Sequence, residues 1–251
     1  MKLYTDLAEY YFFIENKHRN ISNDVSLIKQ LVPRNSRPKL LDLGCGTGEH
    51  LDLLKKEGFR CTGIDPSEEM IRVARMRNGV GITYEVSDML NIDYYQQYDV
   101  VICLFGSFNY ILANSDVDTV FYNTYRALKP GGIAVFEIWN AYPLHRIEQK
   151  SLGHVSTTYY KEKKIERERG FALVEKRPRT IVDVFYRYSV HFGGKVKCLD
   201  DKHRMRAYYQ NEIERIIRDC GFHIVYRYAS SLKEKFYKHS NKLIVIFERD
   251  E

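Results

Sequence analysis

Three glycines at alternate positions follow a short apolar run near residue 40. The run and the turn read LLDLGCGTG over residues 40–48, with Gly44, Gly46 and Gly48 in the turn. Glycine lets a backbone turn tightly and lets a ligand approach the chain closely. Asp65 ends the next apolar run, 21 residues after Gly44, where an acid binds ribose hydroxyls in nucleotide-binding α/β folds. The spacing therefore predicts a site for a nucleoside-containing ligand.

The residues around this turn favour a cationic ligand over a dinucleotide. A dinucleotide-binding turn has its third glycine at the position that Glu49 occupies here, and pyrophosphate prefers a helix start without acids. Asp42 lies just before the turn and adds negative charge. Asp88 ends a later strand, in the sequence VSD, where its side-chain oxygen can accept a hydrogen bond from an adenine amino group.

The segments that must position these residues alternate between strand and helix. Strands are predicted at KLLDLG, RCTGID, ITYEVSD, DVVICLFG and IAVFEIW. Helices are predicted at GEHLDLLKKEG, at PSEEMIRVARMRN with Ser67 as its cap, and at VDTVFYNTYRALKPGG, which a Pro-Gly-Gly turn closes. This alternation predicts a parallel sheet with right-handed crossovers, flanked by helices.

The two ends of the chain and its later half follow other patterns. Residues 1–31 are expected to be helical, and residues from about 141 to 199 alternate like antiparallel strands. The helix QNEIERIIRDCGF and the strands HIVYRYA and KLIVIFER then return to the first sheet. We therefore expect a core formed by residues 1–140 and 203–251, and an antiparallel lid or substrate insertion, residues 141–202, after the fifth strand.

Five motifs in this order resemble those of class I S-adenosylmethionine-dependent methyltransferases, in the small-molecule group with glycine and amino-sugar N-methyltransferase-like members. The motifs are LLDLGCGTG, GIDPSEEM, VSDML, DVVICLFGSFNYI and LKPGGIAVFEIW. The resemblance is strong over residues 38–140 and loose elsewhere. It implies an α/β, Rossmann-like fold with a mostly parallel sheet, S-adenosyl-L-methionine as cofactor and S-adenosyl-L-homocysteine as product.

The resemblance also implies roles for residues around the cofactor. Asp65 would bind the ribose hydroxyls, and Asp88 with the Met89 backbone would hold adenine. Met70 would pack on adenine, although it also fits an ordinary helix core. The acidic Asp42 suits the cationic methionine portion. Gly44 and Gly46 are expected beside the methionine portion, and Leu104 near the methyl group. Tyr11 is expected near the sulfonium. Arg19 is expected either to bind the methionine carboxylate or to lie at the surface.

Methyl transfer needs alignment of donor and acceptor, and in some cases removal of a proton. In the family, residues after the fourth strand face the methyl group, so Ser107 is expected to bind substrate and Tyr110 to take part in catalysis with Tyr11. His203 is the candidate general base, although a lone histidine is more often structural. Arg206 and Tyr208 alternate with His203 and are expected to point with it into the cleft and bind substrate. No metal-ligand spacing occurs in the sequence.

Composition bounds the location of the protein. The 251 residues are 44% hydrophobic, which is enough for a packed core. No apolar run is long enough for a membrane helix, and the N-terminal residues do not resemble a secretory signal. The five cysteines are widely spaced and odd in number, which argues against a disulfide framework. We therefore expect a cytoplasmic protein without a membrane partner, as a monomer or a homodimer.

The positive charge lies in one segment. The net charge is +6, and residues 150–200 contain twelve Lys or Arg against six Asp or Glu. Such a segment can attract an anionic partner or can be a solvated sheet face. The resemblance implies methyl transfer to nitrogen or oxygen of a small molecule. The alternatives are a methyltransferase acting on RNA or protein, with nucleic acid ranked below a small molecule, and a non-catalytic S-adenosylmethionine-binding protein.

Overall fold

The computed structural model describes residues 1–15, 20–33, 37–146 and 149–250. Its strands are β1 (Lys39–Leu43), β2 (Arg60–Asp65), β3 (Ile82–Val86), β4 (Tyr98–Cys103), β5 (Leu128–Trp139), β6 (Gln149–Tyr160), β7 (Lys163–Glu175), β8 (Thr180–Phe192), β9 (Lys195–Ala207), β10 (Phe222–Tyr228) and β11 (Lys242–Arg249). Its helices are α1 (Tyr11–Glu15), α2 (Ile21–Lys29), α3 (Glu49–Lys56), α4 (Glu68–Asn78), α5 (Asn114–Ala127), α6 (Ala141–Leu144) and α7 (Gln210–Asp219). Short 3-10 turns occupy Lys2–Tyr4, Ala8–Tyr10 and Ser107–Tyr110.

Seven strands form the first sheet, in the order β10-β11-β5-β4-β1-β2-β3. Strand β1 pairs in parallel with β2 and β4, and β11 runs antiparallel to both of its neighbours, β10 and β5. Buried apolar side chains fill both faces of the central strands, as a sheet covered by helices requires. The expected α/β fold with a mostly parallel sheet and flanking helices is confirmed.

The helix ends follow the expected local chemistry. The Ser67 hydroxyl accepts a hydrogen bond from the Met70 N–H at 3.3 Å and caps α4. Gly58 and Gly221, with φ of +93° and +86°, follow the ends of α3 and α7 in the left-handed region. These ends fix where β2 and β10 begin. No helix in the described part of the chain is long and apolar enough to cross a membrane.

The second sheet contains four antiparallel strands, β6-β7-β8-β9. One face of it packs against the N-terminal segment, where Leu3, Leu7 and Ile14 contact Ile165 and Tyr188. The antiparallel insertion after the fifth strand is therefore present. Because β9 continues to Ala207, residues 203–207 belong to this sheet and not to the core, where we had expected them.

Two segments differ from expectation. The N-terminal residues form short turns and α1 before α2, because their aromatic and apolar side chains pack on the second sheet and leave no continuous helical face. The Pro-Gly-Gly sequence lies inside β5 and does not close α5. The ring of Pro130 disfavours helical backbone at Lys129, so the chain is already extended from Leu128.

Candidate active site

A cavity of about 680 Å³ opens where β1, β2, β3 and β4 end, beneath the N-terminal segment. Ligand sites of roughly 300–1,000 Å³ are typical, and in parallel α/β sheets they lie outside the carboxyl ends of the strands. The lining residues that sequence analysis had singled out are Tyr11, Asp42, Gly44, Gly46, Asp65, Met70, Asp88, Met89, Leu104, Ser107 and Tyr110. The structure thus brings together residues from four strand ends and from the N-terminal helix.

The glycine turn forms the wall of this cavity. Gly44 and Gly46 have φ of +81° and +56°, a region that other residues rarely adopt. A Cβ on Gly44 would lie 2.7 Å from the Ser107 hydroxyl oxygen. A Cβ on Gly46 would stand 3.5 Å from the Met70 methyl carbon and 3.6 Å from the Tyr11 ring. The missing side chains therefore leave a cradle between the turn, α4 and α1.

Asp65 connects the end of β2 to the glycine turn. Its two carboxylate oxygens accept hydrogen bonds from the Gly46 N–H at 3.0 Å and the Ser67 N–H at 2.9 Å. Burial raises the pKa of Asp65 and the nearby Asp88 raises it further, while the two backbone hydrogen bonds lower it. Each oxygen of a carboxylate can accept a second hydrogen bond. The geometry therefore suits recognition of two neighbouring hydroxyls, as a ribose presents.

Asp88 and Met89 follow β3 and are held by backbone contacts. The Asp88 carboxylate accepts a hydrogen bond from the Leu90 N–H at 2.9 Å, which fixes its side chain at the cavity. The Asn123 amide on α5 donates to the carbonyls of Met89 and Leu90 at 3.1 and 3.0 Å. These contacts orient the turn in which the sequence predicts an adenine-binding site, and that assignment stays a prediction.

The segment after β4 carries backbone strain. Phe105 has a φ of +65°, which is rare for a bulky residue, and Gly106 follows at +75°. Leu104 and Phe105 line the cavity, and the Ser107 hydroxyl donates to the Gly44 carbonyl at 3.3 Å. Strain of this kind persists where surrounding structure imposes it and is frequent at ligand sites. The strained turn directs Ser107 and Tyr110 towards the glycine cradle.

A chain of hydrogen bonds runs from the cavity into the second sheet. The hydroxyls of Tyr4 and Tyr110 lie 2.8 Å apart, and both residues line the cavity. The Tyr110 hydroxyl lies 2.6 Å from Nδ1 of His203, whose Nε2 lies 3.0 Å from the Asp201 carboxylate. Because a carboxylate only accepts, Nε2 carries the proton and Nδ1 accepts from Tyr110. The backbone N–H of Leu3 also donates to Asp201 at 2.9 Å.

Burial sets the acid–base character of this chain. His203 is only 2% exposed and lies behind Tyr110, so it does not itself line the cavity. Burial raises the pKa of Tyr110 well above its ordinary value, which keeps the phenol neutral. Burial also tends to raise the pKa of Asp201, but the hydrogen bonds from His203 and Leu3 outweigh this effect and lower it. Asp201 is therefore the charged end of the chain.

Two expected substrate contacts lie elsewhere. Arg206 is 2% exposed, and its guanidinium donates to the Glu212 carboxylate at 2.8 Å and to the Leu112 carbonyl at 2.9 Å. Tyr208 is also 2% exposed, and its hydroxyl donates to the Ile111 carbonyl at 2.9 Å. The prediction that both point with His203 into the cleft is wrong. The two side chains instead anchor the end of β9 to the segment before α5.

Sequence analysis missed residues at the cavity wall and behind it. Among the expected contacts, Arg19 lies outside the described residues. Asp201, which lies behind the wall, was missed, although it shares its strand face with His203 by the two-residue period. His50 on α3 also lines the cavity, with Nε2 3.1 Å from the buried Asp24 carboxylate. That pair joins elements far apart in sequence and left no local signal.

The cavity wall is strongly acidic. Eight carboxylates contribute to it, and among the described residues no Lys or Arg side chain does. They are Glu15, Asp42, Glu49, Asp65, Glu68, Glu69, Asp88 and Asp116. Such a wall attracts cations and opposes a pyrophosphate. The glycine cradle, the Asp65 carboxylate and this charge together fit S-adenosylmethionine, which combines an adenosine with a cationic sulfonium and an ammonium group.

Comparisons with known proteins agree with this geometry. Residues 40–132 match the family model described as a methyltransferase domain. A putative methyltransferase of Geobacillus sp. (strain WCH70) is 34% identical over 122 residues, which span 47% of this chain and 49% of that protein. A dTDP-3-amino-3,4,6-trideoxy-alpha-D-glucopyranose N,N-dimethyltransferase of Streptomyces venezuelae is 27% identical over 218 residues, 82% of this chain and 83% of that protein.

The fold of the whole chain matches a solved structure. The crystal structure of an S-adenosylmethionine-dependent methyltransferase from Clostridium acetobutylicum ATCC 824 superposes with a TM-score of 0.82, covers 99% of both chains and is 21% identical. The matched domain contains the glycine turn, Asp65, Asp88 and the strained segment after β4. With these motifs placed around one acidic cavity, residues 40–132 match a methyltransferase domain, and the chain has the fold of S-adenosylmethionine-dependent methyltransferases.

Proposed function

We propose that this protein methylates the nitrogen of a small-molecule amine. The observation that carries the proposal is the cavity wall, where eight carboxylates face a space large enough for a donor and a small acceptor. An aliphatic amine is a cation near neutral pH, so this wall concentrates and orients it. A polynucleotide would meet the same carboxylates as a polyanion, which disfavours it at the cavity.

One relative supports nitrogen as the methylated atom. The Streptomyces venezuelae relative, of which the match covers 83%, is named as an N,N-dimethyltransferase of a dTDP-linked amino sugar. We infer that the acceptor of the present chain likewise presents an amino group on a small polar ring.

Within the cavity, the proposed roles follow the contacts. The donor supplies an electrophilic methyl group on a positively charged sulfur. Asp65 binds the ribose hydroxyls, Asp88 and the Met89 backbone hold the adenine, and Met70 packs beside it. The turn at Gly44 and Gly46 makes room for the methionine portion, and Asp42 contributes negative charge there. Leu104 and Tyr11 contact the donor near its sulfur atom.

The chain Tyr110–His203–Asp201 is proposed to remove the proton from the amine. As the amine nitrogen loses its proton to the Tyr110 oxygen, Tyr110 passes its own proton to Nδ1 of His203 across 2.6 Å. Asp201 then stabilises the resulting imidazolium through Nε2. A neutral phenol with a raised pKa suits this transfer, because it passes the proton on without becoming a phenolate. His203 thus acts through Tyr110.

The N-terminal segment and the second sheet form the proposed lid. Tyr4, Tyr11 and Glu15 line the cavity from the N-terminal side, and the same segment packs on β7 and β8. This cover excludes water, which strengthens electrostatic contacts inside. We place the protein in the cytoplasm, which fits the three buried free thiols of Cys45, Cys61 and Cys103. A monomer or a homodimer is compatible with this site.

The proposed function is tested with matched acceptors. Purified protein and methyl-labelled S-adenosylmethionine are incubated with pairs of small molecules that differ only in an amino or a hydroxyl group at one carbon, and with a short RNA. Mass spectrometry then locates the added label. We expect label on nitrogen of at least one amine and none on its hydroxyl counterpart. Label on the hydroxyl compounds or on RNA alone would contradict the proposal.

A further inference from the structure

Three polar side chains stand side by side in the middle of the second sheet. In the strand register, Ser156 on β6 pairs with Arg167 on β7, and Arg167 pairs with Tyr188 on β8. All three are buried, with exposures of 7%, 3% and 0%. They face the N-terminal segment, because Arg167 forms an ion pair with Glu15 and Tyr188 packs against Leu3 and Ile14.

This polar row contains unpaired atoms. Among the described residues, no hydrogen-bond partner reaches the Ser156 hydroxyl, the Arg167 Nε–H or the Tyr188 hydroxyl. Buried polar atoms in folded proteins nearly always have a partner in the protein, in ordered water or in a bound ligand. All three groups are able to donate a hydrogen bond. A group that accepts hydrogen bonds would therefore satisfy the whole row.

The charge of Arg167 indicates what that group is. A guanidinium stays protonated in proteins, so this buried side chain needs a negative partner. Its one carboxylate among the described residues is that of Glu15, whose side chain is 22% exposed while that of Arg167 is 4% exposed. Glu15 also lines the cavity, whereas Arg167 does not. Glu15 thus lies between the cavity and the buried guanidinium of Arg167.

We propose that Ser156, Arg167 and Tyr188 form a subsite for an oxyanion, a carboxylate or a phosphate carried by the methyl acceptor. In the absence of the acceptor Glu15 neutralises Arg167, and the oxyanion takes its place and gains the unpaired donors. This inference rests on the proposed amine methylation and narrows its substrate class. The acceptor carries an amine for the acidic wall and an acidic group for the polar row.

The test uses simple anions on the whole protein loaded with S-adenosylhomocysteine. Inorganic phosphate and acetate are titrated separately at constant ionic strength, with chloride as the reference salt, and binding is followed by calorimetry and by NMR shifts. Arg167→Met removes the cation, Tyr188→Phe removes one donor, and Glu15→Gln removes the competing charge. Arg187→Met is the matched control, because Arg187 lies on β8 but is exposed and paired with Asp200.

We expect saturable binding of phosphate, acetate or both to the wild type. The anion that binds with the higher affinity indicates whether the acceptor carries a phosphate or a carboxylate. Arg167→Met should weaken anion binding by at least about tenfold and Tyr188→Phe by about threefold, as expected for lost hydrogen bonds to a charged group. Glu15→Gln should tighten it, and Arg187→Met should leave it unchanged. Affinity for S-adenosylhomocysteine, measured in each variant, reports whether the protein is folded.

Two results would overturn the subsite. One is that neither anion binds the wild type more tightly than chloride, which is the result expected if ordered water fills the row. The other is anion binding that is equal in wild type and Arg167→Met while both proteins bind S-adenosylhomocysteine. Amine methylation is measured separately, so loss of the subsite leaves the proposed function standing. Methylation confined to hydroxyls would instead refute that function without bearing on anion binding.

Discussion

Replacing Tyr110 by phenylalanine removes one oxygen atom and breaks the proposed proton path. In the structure that oxygen lies 2.8 Å from the Tyr4 hydroxyl and 2.6 Å from Nδ1 of His203. The substitution therefore leaves a buried imidazole nitrogen without its donor. A buried polar group that loses its partner costs about 1–3 kcal/mol of stability. For a protein of this size, we expect the melting temperature to fall by roughly 2–12 °C.

The effect on the rate should be larger than the effect on stability. A positioned acid–base group contributes about 10²–10⁴-fold to the rate, so kcat with an amine should fall by at least about 10²-fold. Affinity for S-adenosylhomocysteine should change by less than about threefold, since the variant keeps the ring at the cavity wall. The loss should shrink as the pH rises, because more amine then arrives already deprotonated.

The assay compares Tyr110→Phe, His203→Ala and the double variant in kcat, KM and pH profile. Groups that act as one unit are not additive, so the double variant should be no slower than the slower single variant. Tyr95→Phe is the control for loss of a tyrosine hydroxyl, because Tyr95 is 63% exposed. A Tyr110→Phe enzyme within threefold of the wild-type rate at neutral pH, or with an unchanged pH profile, would refute the proton path.

Three further predictions concern the cofactor side and the charged end of the proton path. Asp65→Ala should weaken S-adenosylhomocysteine binding by at least about 10²-fold in calorimetry, because it removes two backbone contacts and the ribose acceptors. Asp93→Ala, at an exposed site, should leave the affinity unchanged, and unchanged affinity in Asp65→Ala would show that the site is misassigned. Gly44→Ala should lower the free energy of unfolding by about 1–3 kcal/mol in chemical denaturation, because the φ of Gly44 is +81° and the new Cβ would meet Ser107. Adding Ser107→Gly should restore part of the loss, and equal stability of Gly44→Ala and wild type would contradict the close approach. Asp201→Asn should be less stable than the wild type at neutral pH. Because folding lowers the pKa of Asp201, the difference in free energy of unfolding between the two proteins should be complete above about pH 4 and should disappear as the pH falls through the folded-state pKa. A difference that persists in acid would mean that Asp201 is not the charged partner.

The cofactor half of the site could be predicted because its signals are local. Gly44, Gly46, Asp65 and Asp88 each lie at or just after a strand end, and parallel pairing of β1 with β2 and of β2 with β3 brings those ends together. Sequence spacing alone therefore placed residues that all line one cavity. Their individual contacts with the cofactor remain predictions.

The acceptor half depends on packing that spacing does not reveal. The expected alternation along β9 grouped His203 with Arg206, but three positions separate them, so their side chains lie on opposite faces of the strand and bind different partners. The N-terminal segment folds onto the second sheet, and this packing brings Tyr4 to Tyr110 and Glu15 to Arg167. Contacts between residues more than 100 positions apart left no periodic pattern, so the contact of Tyr4 with Tyr110 and the ion pair in the polar row were not predicted.

The central claim is that the acidic cavity binds an adenosyl sulfonium donor. Calorimetric titration of the wild-type protein with S-adenosylhomocysteine, beside an identical titration with NAD, tests it most directly. The account predicts micromolar binding of S-adenosylhomocysteine and no measurable heat with NAD, whose pyrophosphate would face Glu49 and the other carboxylates. Binding of NAD, or of neither compound, would contradict the account.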